Sequence, residues 1–325
     1  MLCIYIMLLN LIMYSETVHF SKMRDILRPY LITLQKSDVT YLFYCYSPTI
    51  KSDYVIEGDT LYIKGTESYV PGTIDKTVKA ISIVSDLYKF THIVRSNIST
   101  IVNFGLLIEH MKIEYVDYAG GMVMTVTRID KGSGITDDQY NGIRYVSGTC
   151  IILSKKAVDL LLCNVHNINY TVVDDLSLGL FYAKHGICAV KIDRMGYNVD
   201  RYVPTKLFYR NRRPNRFDDC SIMIRILSRI MNKDEDTSSG IYSYPNMKAR
   251  YGIIHNGEYK YTDVSKIIVI CFVKDGRLII PRTIKFNDYF GDPAPYVCKY
   301  LDISCNSVIL SIKEDRTHDI NVELD

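Results

Sequence analysis

The feature that most constrains this chain is an alternation, in which strand-like apolar runs take turns with segments of helical spacing over most of its length. LCIYIMLLNL, TYLFYCYS, TLYIKG, THIVRS and YVSGTCIILS are rich in β-branched, aromatic and leucine side chains and short enough to be strands. Between them, FSKMRDILRPYLITLQ, TIDKTVKAISIVSDLYKF and SKKAVDLLLCNV bring their apolar residues back at helical intervals. Such a chain buries both kinds of element by laying helices on the faces of a sheet, an α/β architecture. FDDCSIMIRILSRIM adds one more amphipathic helix, and KDEDTSSGIYSYPN after it is polar, aperiodic and punctuated by Gly, Ser and Pro. The expected organisation is an α/β domain over 1–232, a linker over 233–249, and a small all-β, sandwich-like unit over 250–325. The strands of that last unit are KIIVICFV, RLIIPRTI and SVILSIK.

Composition narrows the function classes. A formal net charge of +3, with acids and bases interspersed, gives no reason to expect nucleic acid or an anionic membrane as a partner. Nine cysteines at irregular spacings, with no CxxC pair and no histidine ligand set beside them, read as buried thiols of a reducing, cytoplasmic compartment. The sequons at Asn97 and Asn169 carry no meaning there. Met1–Tyr14 is almost continuously apolar but shorter than the roughly 20 residues that span a bilayer. It also lacks a basic flank and a small-residue cleavage site, so it reads as a buried first strand, with an uncleaved signal anchor as the alternative.

Chemistry concentrates in TVVDDLSLGLFYAKHGI, where Asp174 and Asp175 stand just ahead of an amphipathic helix. A carboxylate held there by the helix dipole suits a general base, and the same pair suits a simple N-cap. FYRNRRPNR supplies Arg210, Arg212, Arg213 and Arg216, able to neutralise a diphosphate or to sit as a solvated charged loop, and Tyr209, able to stack on a base or sugar. Other chemistries lack their signatures. Gly120-Gly121 is not followed by the third glycine and helix of a nucleotide loop, and no nucleophile elbow is present. The seven histidines include no metal-spaced pair, and His185 reads as a helix-face residue.

Four segments in order resemble the beta-1,3-galactosyltransferase and N-acetylglucosaminyltransferase group, which has the GT-A nucleotide-sugar fold. ESYVPGTIDKT is similar to the group's D-S-Y-x-N-L-T-x-K-T, and FTHIVRSNIST stands where its strand ends in a metal-binding D-x-D. YVSGTCIILSKKAVDLL resembles Y-C-S-G-G-G-Y-V-L-S, and DDLSLGLFYAKHGI resembles E-D-V-Y-V-G followed by G-I. The likeness runs from about Tyr14 to Ile187. It implies a nucleotide-sugar donor as cosubstrate and a hydroxyl acceptor on a glycan or protein. By the same resemblance Asp175 is the base that deprotonates the acceptor, and Asp174 orients that base or the acceptor. Ser147 and Gly148 line the cleft, and Arg95, Asn97, Ser99, Tyr14, Glu67 and Lys76 are placed around the donor. Asn97-Ile98-Ser99 in place of D-x-D departs from the pattern. Neutral side chains hold Mn or Mg poorly, so no metal ligand is assigned and the arginines are expected to take over the charge of the diphosphate. The R-S-N-I-S run also resembles glycosyltransferase-like proteins of large DNA viruses. That likeness leaves open a degenerate fold that binds sugar or nucleotide, or serves in assembly, without turnover.

The C-terminal stretch resembles a small β domain marked by Y-G-x-x-x-x-Y-x-D-V-T and F-G-D-P-x-P-G-x-x-K, with Ser265 and Tyr296 as departures. Gly291-Asp292-Pro293 reads as a turn. Its alternative is a polar site built from Asp292 and Lys299.

Overall fold

The computed structural model describes residues 6–35, 38–193, 196–231, 244, 246–255, 258–274, 276–290, 293 and 297–324. Most of the expected linker, together with Gly291, Asp292 and Tyr296, lies outside them. The chain forms two compact units, one of residues 1–199 and 203–212 and one of 200–202 and 213–325.

The first unit is the expected α/β layer structure around an eight-stranded mixed sheet. β1 (Leu8–Met13) runs parallel between β2 (Val39–Ser47) and β5 (His92–Asn97). β4 (Thr60–Lys64) continues the parallel set beyond β2, and β3 (Tyr54–Glu57) closes that edge antiparallel. On the other side, β10 (Cys150–Ser154) lies antiparallel between β5 and β7 (Tyr118–Gly120), and β11 (Val190–Lys191) forms the far edge. β1 and β2 are nearly continuous apolar runs because both faces of the sheet are covered.

One face packs under α2 (Gly72–Leu87), α4 (Lys155–Cys163) and α5 (Asp174–Lys184), with Leu9, Leu11, Ile93, Ile151 and Leu153 meeting Ile81, Leu161 and Phe181. Ser154 ends β10 and caps α4 at once, its hydroxyl accepting from the Ala157 N–H at 3.1 Å. α1 (Val18–Leu34) buries Met23, Leu27 and Leu31, and its Tyr30 hydroxyl donates to the Val102 carbonyl at 2.9 Å. The strand expected over YVSGTCIILS is broken, with β9 (Arg144–Val146) pairing with β8 (Val123–Thr125). β10 begins only after the Ser147–Thr149 corner. The apolar N-terminus does form the buried strand β1, and among the described residues no helix is long and apolar enough to cross a membrane. The described cysteines are free thiols. Cys45, Cys150, Cys220 and Cys305 are buried as expected, whereas Cys163, Cys188 and Cys298 are exposed.

The second unit carries two small antiparallel sheets, β15-β14-β18-β19 and β16-β17-β20. The strands of the first are β14 (Lys248–His255), β15 (Glu258–Asp263), β18 (Tyr300–Cys305) and β19 (Val308–Lys313). Those of the second are β16 (Val273–Lys274), β17 (Arg277–Ile280) and β20 (Ile320–Glu323). It is not all-β, however. KIIVICFV, expected as a strand, forms helix α7 (Ser265–Phe272), and α8 (Phe286–Phe290) follows later. A short run that is apolar on every side carries no periodicity to separate a buried helix from a buried strand. Just ahead of the helix start, Asp263 Oδ1 accepts from the Ser265 N–H at 2.9 Å. The amphipathic α6 (Arg216–Ile230), read as the end of the first domain, packs against α7 and belongs to the second unit. The proposed Lys299 site is also reassigned: Lys299 is buried, with its ammonium on the Val297 carbonyl at 2.7 Å and on Glu314 at 3.3 Å.

Candidate active site

The parallel strands reverse their order at β1, with β2 and β4 running out to one side and β5 to the other. The crevice outside the carboxyl ends of strands at such a reversal is where open α/β sheets bind ligands. Met13 and Asn97 are paired at that point.

Arg95 is the hub. It is 1 % exposed, and its guanidinium holds four partners. Nε donates to the Tyr44 hydroxyl at 3.1 Å, Nη1 to the Gly148 carbonyl, and Nη2 to the Asp174 carboxylate and to the Met13 sulfur at 3.0 Å. Burial works against its charge, but Asp174 and Tyr44 outweigh burial and hold the guanidinium protonated.

Asp174 and Asp175 open α5, where helical N–H groups lack internal partners. Their environments differ sharply. Asp174 is buried and closes the ion pair with Arg95. Asp175 is partly exposed, its Oδ2 accepting from the Gly148 N–H at 2.8 Å and its Oδ1 from the Leu176 N–H at 2.9 Å. Burial, and then the neighbouring Asp174 charge, push the Asp175 carboxyl up to about 6, and the two N–H donors and Arg95 only partly oppose them. The N-cap reading is corrected: Val173 is the N-cap and makes no side-chain cap, and both aspartates lie within the first turn of α5. The Asp175 carboxylate serves the helix end from there and is also tuned toward the range of a working base.

Gly148 explains why this corner carries glycine. Its carbonyl faces Arg95 and its N–H faces Asp175, and a Cβ would lie 3.3 Å from both Arg95 Nη1 and Asp175 Oδ2. The adjoining Thr149 carbonyl accepts from the Asn97 N–H at 3.2 Å and the Thr100 hydroxyl at 2.9 Å. Ser147–Thr149 thus stitches the start of α5 to the end of β5. Beyond it, β6 (Thr100–Val102) pairs with β13 (Phe208–Arg210), which sets Arg210 opposite Thr100 and brings its guanidinium onto the Ser99 hydroxyl. Asn97 Oδ1 is buried and has no hydrogen-bond partner among the described residues. An orphaned acceptor at a strand end in this crevice asks for a ligand or water donor.

Several residues expected around the donor have other tasks. Lys76 is 2 % exposed, and its three N–H donors go to both Glu67 oxygens at 2.7 Å and to the Tyr14 carbonyl at 3.1 Å. Glu67 in turn accepts from the Tyr46 N–H at 3.0 Å. Lys76 and Glu67 therefore tie the ends of β1 and β2 together, and burial lowers the Lys76 pKa against the pull of Glu67. The Tyr14 side chain is buried, its hydroxyl accepting from Arg24 at 2.8 Å. Arg95 is likewise a frame residue, fully engaged away from solvent. Tyr209, expected to stack on a base or sugar, is fully buried, with its hydroxyl on the Val203 carbonyl at 2.7 Å and N–H at 2.9 Å. The arginine run is divided: Arg210 is buried, Arg212 is exposed, and Arg213 and Arg216 meet Asp219 in the second unit. Ser147 is buried beside Thr149.

The side chains do not fit a divalent cation. The positions of the D-x-D motif carry Asn97 and Ser99, Asp174 is neutralised by Arg95, and among the described residues no three His, Cys, Asp or Glu side chains converge. Tyr44, Thr100 and Thr149 are site residues that sequence reasoning did not single out. Their signal is register along β2 and β6 and the corner that precedes β10, invisible among the 27 tyrosines of the chain and its ordinary threonines.

No family model matches the sequence, and no curated protein matches it. Among solved structures, the chain is similar to a glycosyltransferase involved in the glycosylation of the major capsid of PBCV-1. That match has 9% identity and a TM-score of 0.38, and covers 67% of this chain and 98% of that one. It is also similar to the inositol-1-phosphate CTP transferase from T. maritima, with 11% identity and a TM-score of 0.37, covering 68% of this chain and 97% of that one. Likeness at these scores assigns no activity to this chain.

Proposed function

We propose that the chain is a glycosyltransferase that moves a sugar from a nucleotide-sugar donor to a hydroxyl of a glycan or protein, with inversion and without a metal. The observation that carries this reading is the split of the carboxylate pair at the strand reversal. Asp174 is locked to Arg95, and Asp175 is left partly exposed with its carboxyl raised to about 6. At neutral pH such a group is ionised and more basic than an ordinary aspartate. The acceptor O–H gives its proton to Asp175, the oxygen bonds to the anomeric carbon, and the bond from that carbon to the diphosphate breaks with its electrons leaving on the nucleoside diphosphate. Asn97 and Ser99, with Arg210 behind Ser99, are the groups we assign to the donor side. A guanidinium takes up part of the diphosphate charge there. Free thiols, buried and exposed, suit a reducing cytoplasm, that of a host cell if the chain is viral.

The test is release of nucleoside diphosphate from a panel of UDP-, GDP- and TDP-sugars, with and without chelator. Wild type is expected to release one of them in chelator, and Asp175→Asn to lower kcat by roughly 10²–10⁴-fold. Undiminished turnover in Asp175→Asn sinks the assignment. A second reading is a nucleotide- or sugar-binding protein of the same architecture that does not turn over, favoured by the two N–H groups already on the Asp175 carboxylate. Saturable binding without release from any donor would select it.

A further inference from the structure

The second unit contains a cleft of about 860 Å³ on the outer face of the sheet β15-β14-β18-β19, within the range of small-ligand sites. Strand register builds its floor. Asp263, Arg250, Asp302 and Ser311 lie side by side across the four strands, and Lys248, Ser304 and Ile309 form the next row. The opposite face of the same strands, with Ala249, Tyr251, Leu301, Ile303 and Ile312, is buried in the core. The outer rows therefore face solvent and set charged and hydroxyl groups into a cleft whose lining is otherwise largely apolar.

The chemistry of the floor is specific. Arg250 donates through Nε to Asp302 Oδ2 at 3.1 Å and lies 4.5 Å over the Tyr261 ring, which fixes the guanidinium plane. Ser311 donates to the other Asp302 oxygen at 2.7 Å, and Ser265 to Asp263 at 2.7 Å. Both Nη groups of Arg250 and the whole Lys248 ammonium have no protein partner among the described residues. Two cations and two carboxylates line the cleft, so its formal charge is zero. A phosphate or an acidic polymer would have to compete with Asp302 and Asp263, and a cation with Arg250 and Lys248. A ligand made of hydroxyls avoids both conflicts, accepting from the guanidinium and ammonium and donating to the remaining lone pairs of Asp302. Ile309, 81 % exposed at the rim, offers an apolar contact to the C–H face of such a ligand.

We propose that this cleft is a binding site for a neutral oligosaccharide, oriented by Arg250, Asp302 and Lys248. The site lies wholly in the second unit and stands or falls independently of the base assigned to Asp175. The experiment titrates the full chain with uncharged oligosaccharides of glucose, galactose, mannose and N-acetylglucosamine by isothermal calorimetry. Sulfated oligosaccharides and an extended peptide serve as competitors. The expected result is binding to a neutral oligosaccharide that weakens about tenfold or more in Arg250→Ala and in Lys248→Gln, and is unchanged in Asp175→Asn. Lys248→Gln removes a side chain with no partner among the described residues, so it separates lost binding from lost folding. The proposal is overturned if no neutral oligosaccharide binds at millimolar concentration. It is equally overturned if binding survives both variants, if it is lost only in Asp175→Asn, or if the sulfated sugars or the peptide bind in preference.

Discussion

The molecule contains the same arginine–aspartate pairing in two settings. Arg95 and Asp174 meet in the first unit with side chains 1 % and 9 % exposed, and Arg250 and Asp302 meet in the second with 57 % and 28 % exposed. In the first setting neither charge has water to fall back on, so each partner depends on the other, and the pair governs everything it touches. Through it the Gly148 corner is held, and beside it the Asp175 carboxyl titrates near 6. In the second setting water screens both groups and the pairing is weak, which leaves the guanidinium able to share its donors with a ligand. Burial decides whether the same two side chains act as framework or as a recognition surface.

The largest expected effect comes from breaking the buried pair. Asp174→Ala strands the Arg95 guanidinium in the core and should destabilise the protein by about 3–5 kcal/mol in urea unfolding. A loss below about 1 kcal/mol would mean that water reaches Arg95 and would erase the contrast between the two pairs. Gly148→Ala comes next. Its new methyl presses on Arg95 and Asp175 together, and an overpacking cost of about 1–3 kcal/mol is expected as a lower Tm. An unchanged Tm would show that the corner has room to yield.

Asp175 gives a smaller effect of definite sign. Its carboxyl is raised from 3.8 to about 6, so between those pH values the folded state holds a proton that the unfolded state has released. Stability therefore falls as pH rises through that window, and the cost persists above it. Asp175→Asn should be at least as stable as wild type in denaturant at pH 8, with the difference shrinking as the pH is taken down to 4. Wild-type turnover should rise through pH 6 as the base ionises. A variant less stable than wild type at pH 8 would show that the helix-end hydrogen bonds outweigh the desolvated charge. Smallest is Asp302→Ala, expected to change stability by less than about 1 kcal/mol while weakening oligosaccharide binding in the second unit.

Much of the first unit was legible because its signals are local. β1, β2, β4 and β5 announce themselves as apolar runs bounded by polar residues, and α2 and α4 by spacing. The Asp174-Asp175 pair and the Gly148 corner also stood out, because a carboxylate pair ahead of a helix and a glycine before a strand are unusual in themselves. What failed was the division of labour among the charged residues. Arg95, Lys76 and Tyr209 look in sequence like ligand-binding groups, and all three are consumed by internal partners. α7 was misread because SKIIVICF is apolar all round, and α6 was assigned to the wrong side of the division because its partner lies in α7, more than thirty residues further along.

The sequence by itself determined the α/β layering, the buried first strand and the presence of two carboxylates at the start of α5, since periodicity and local residue chemistry are written in neighbouring positions. Only the tertiary structure decided that Asp174 faces Arg95 while Asp175 keeps access to solvent, that Arg210 reaches Ser99, and that Arg250 shares its row with Asp263 and Asp302. Those facts depend on which strand lies beside which and in what register. Register is set by the packing of whole faces, which no short stretch of sequence specifies.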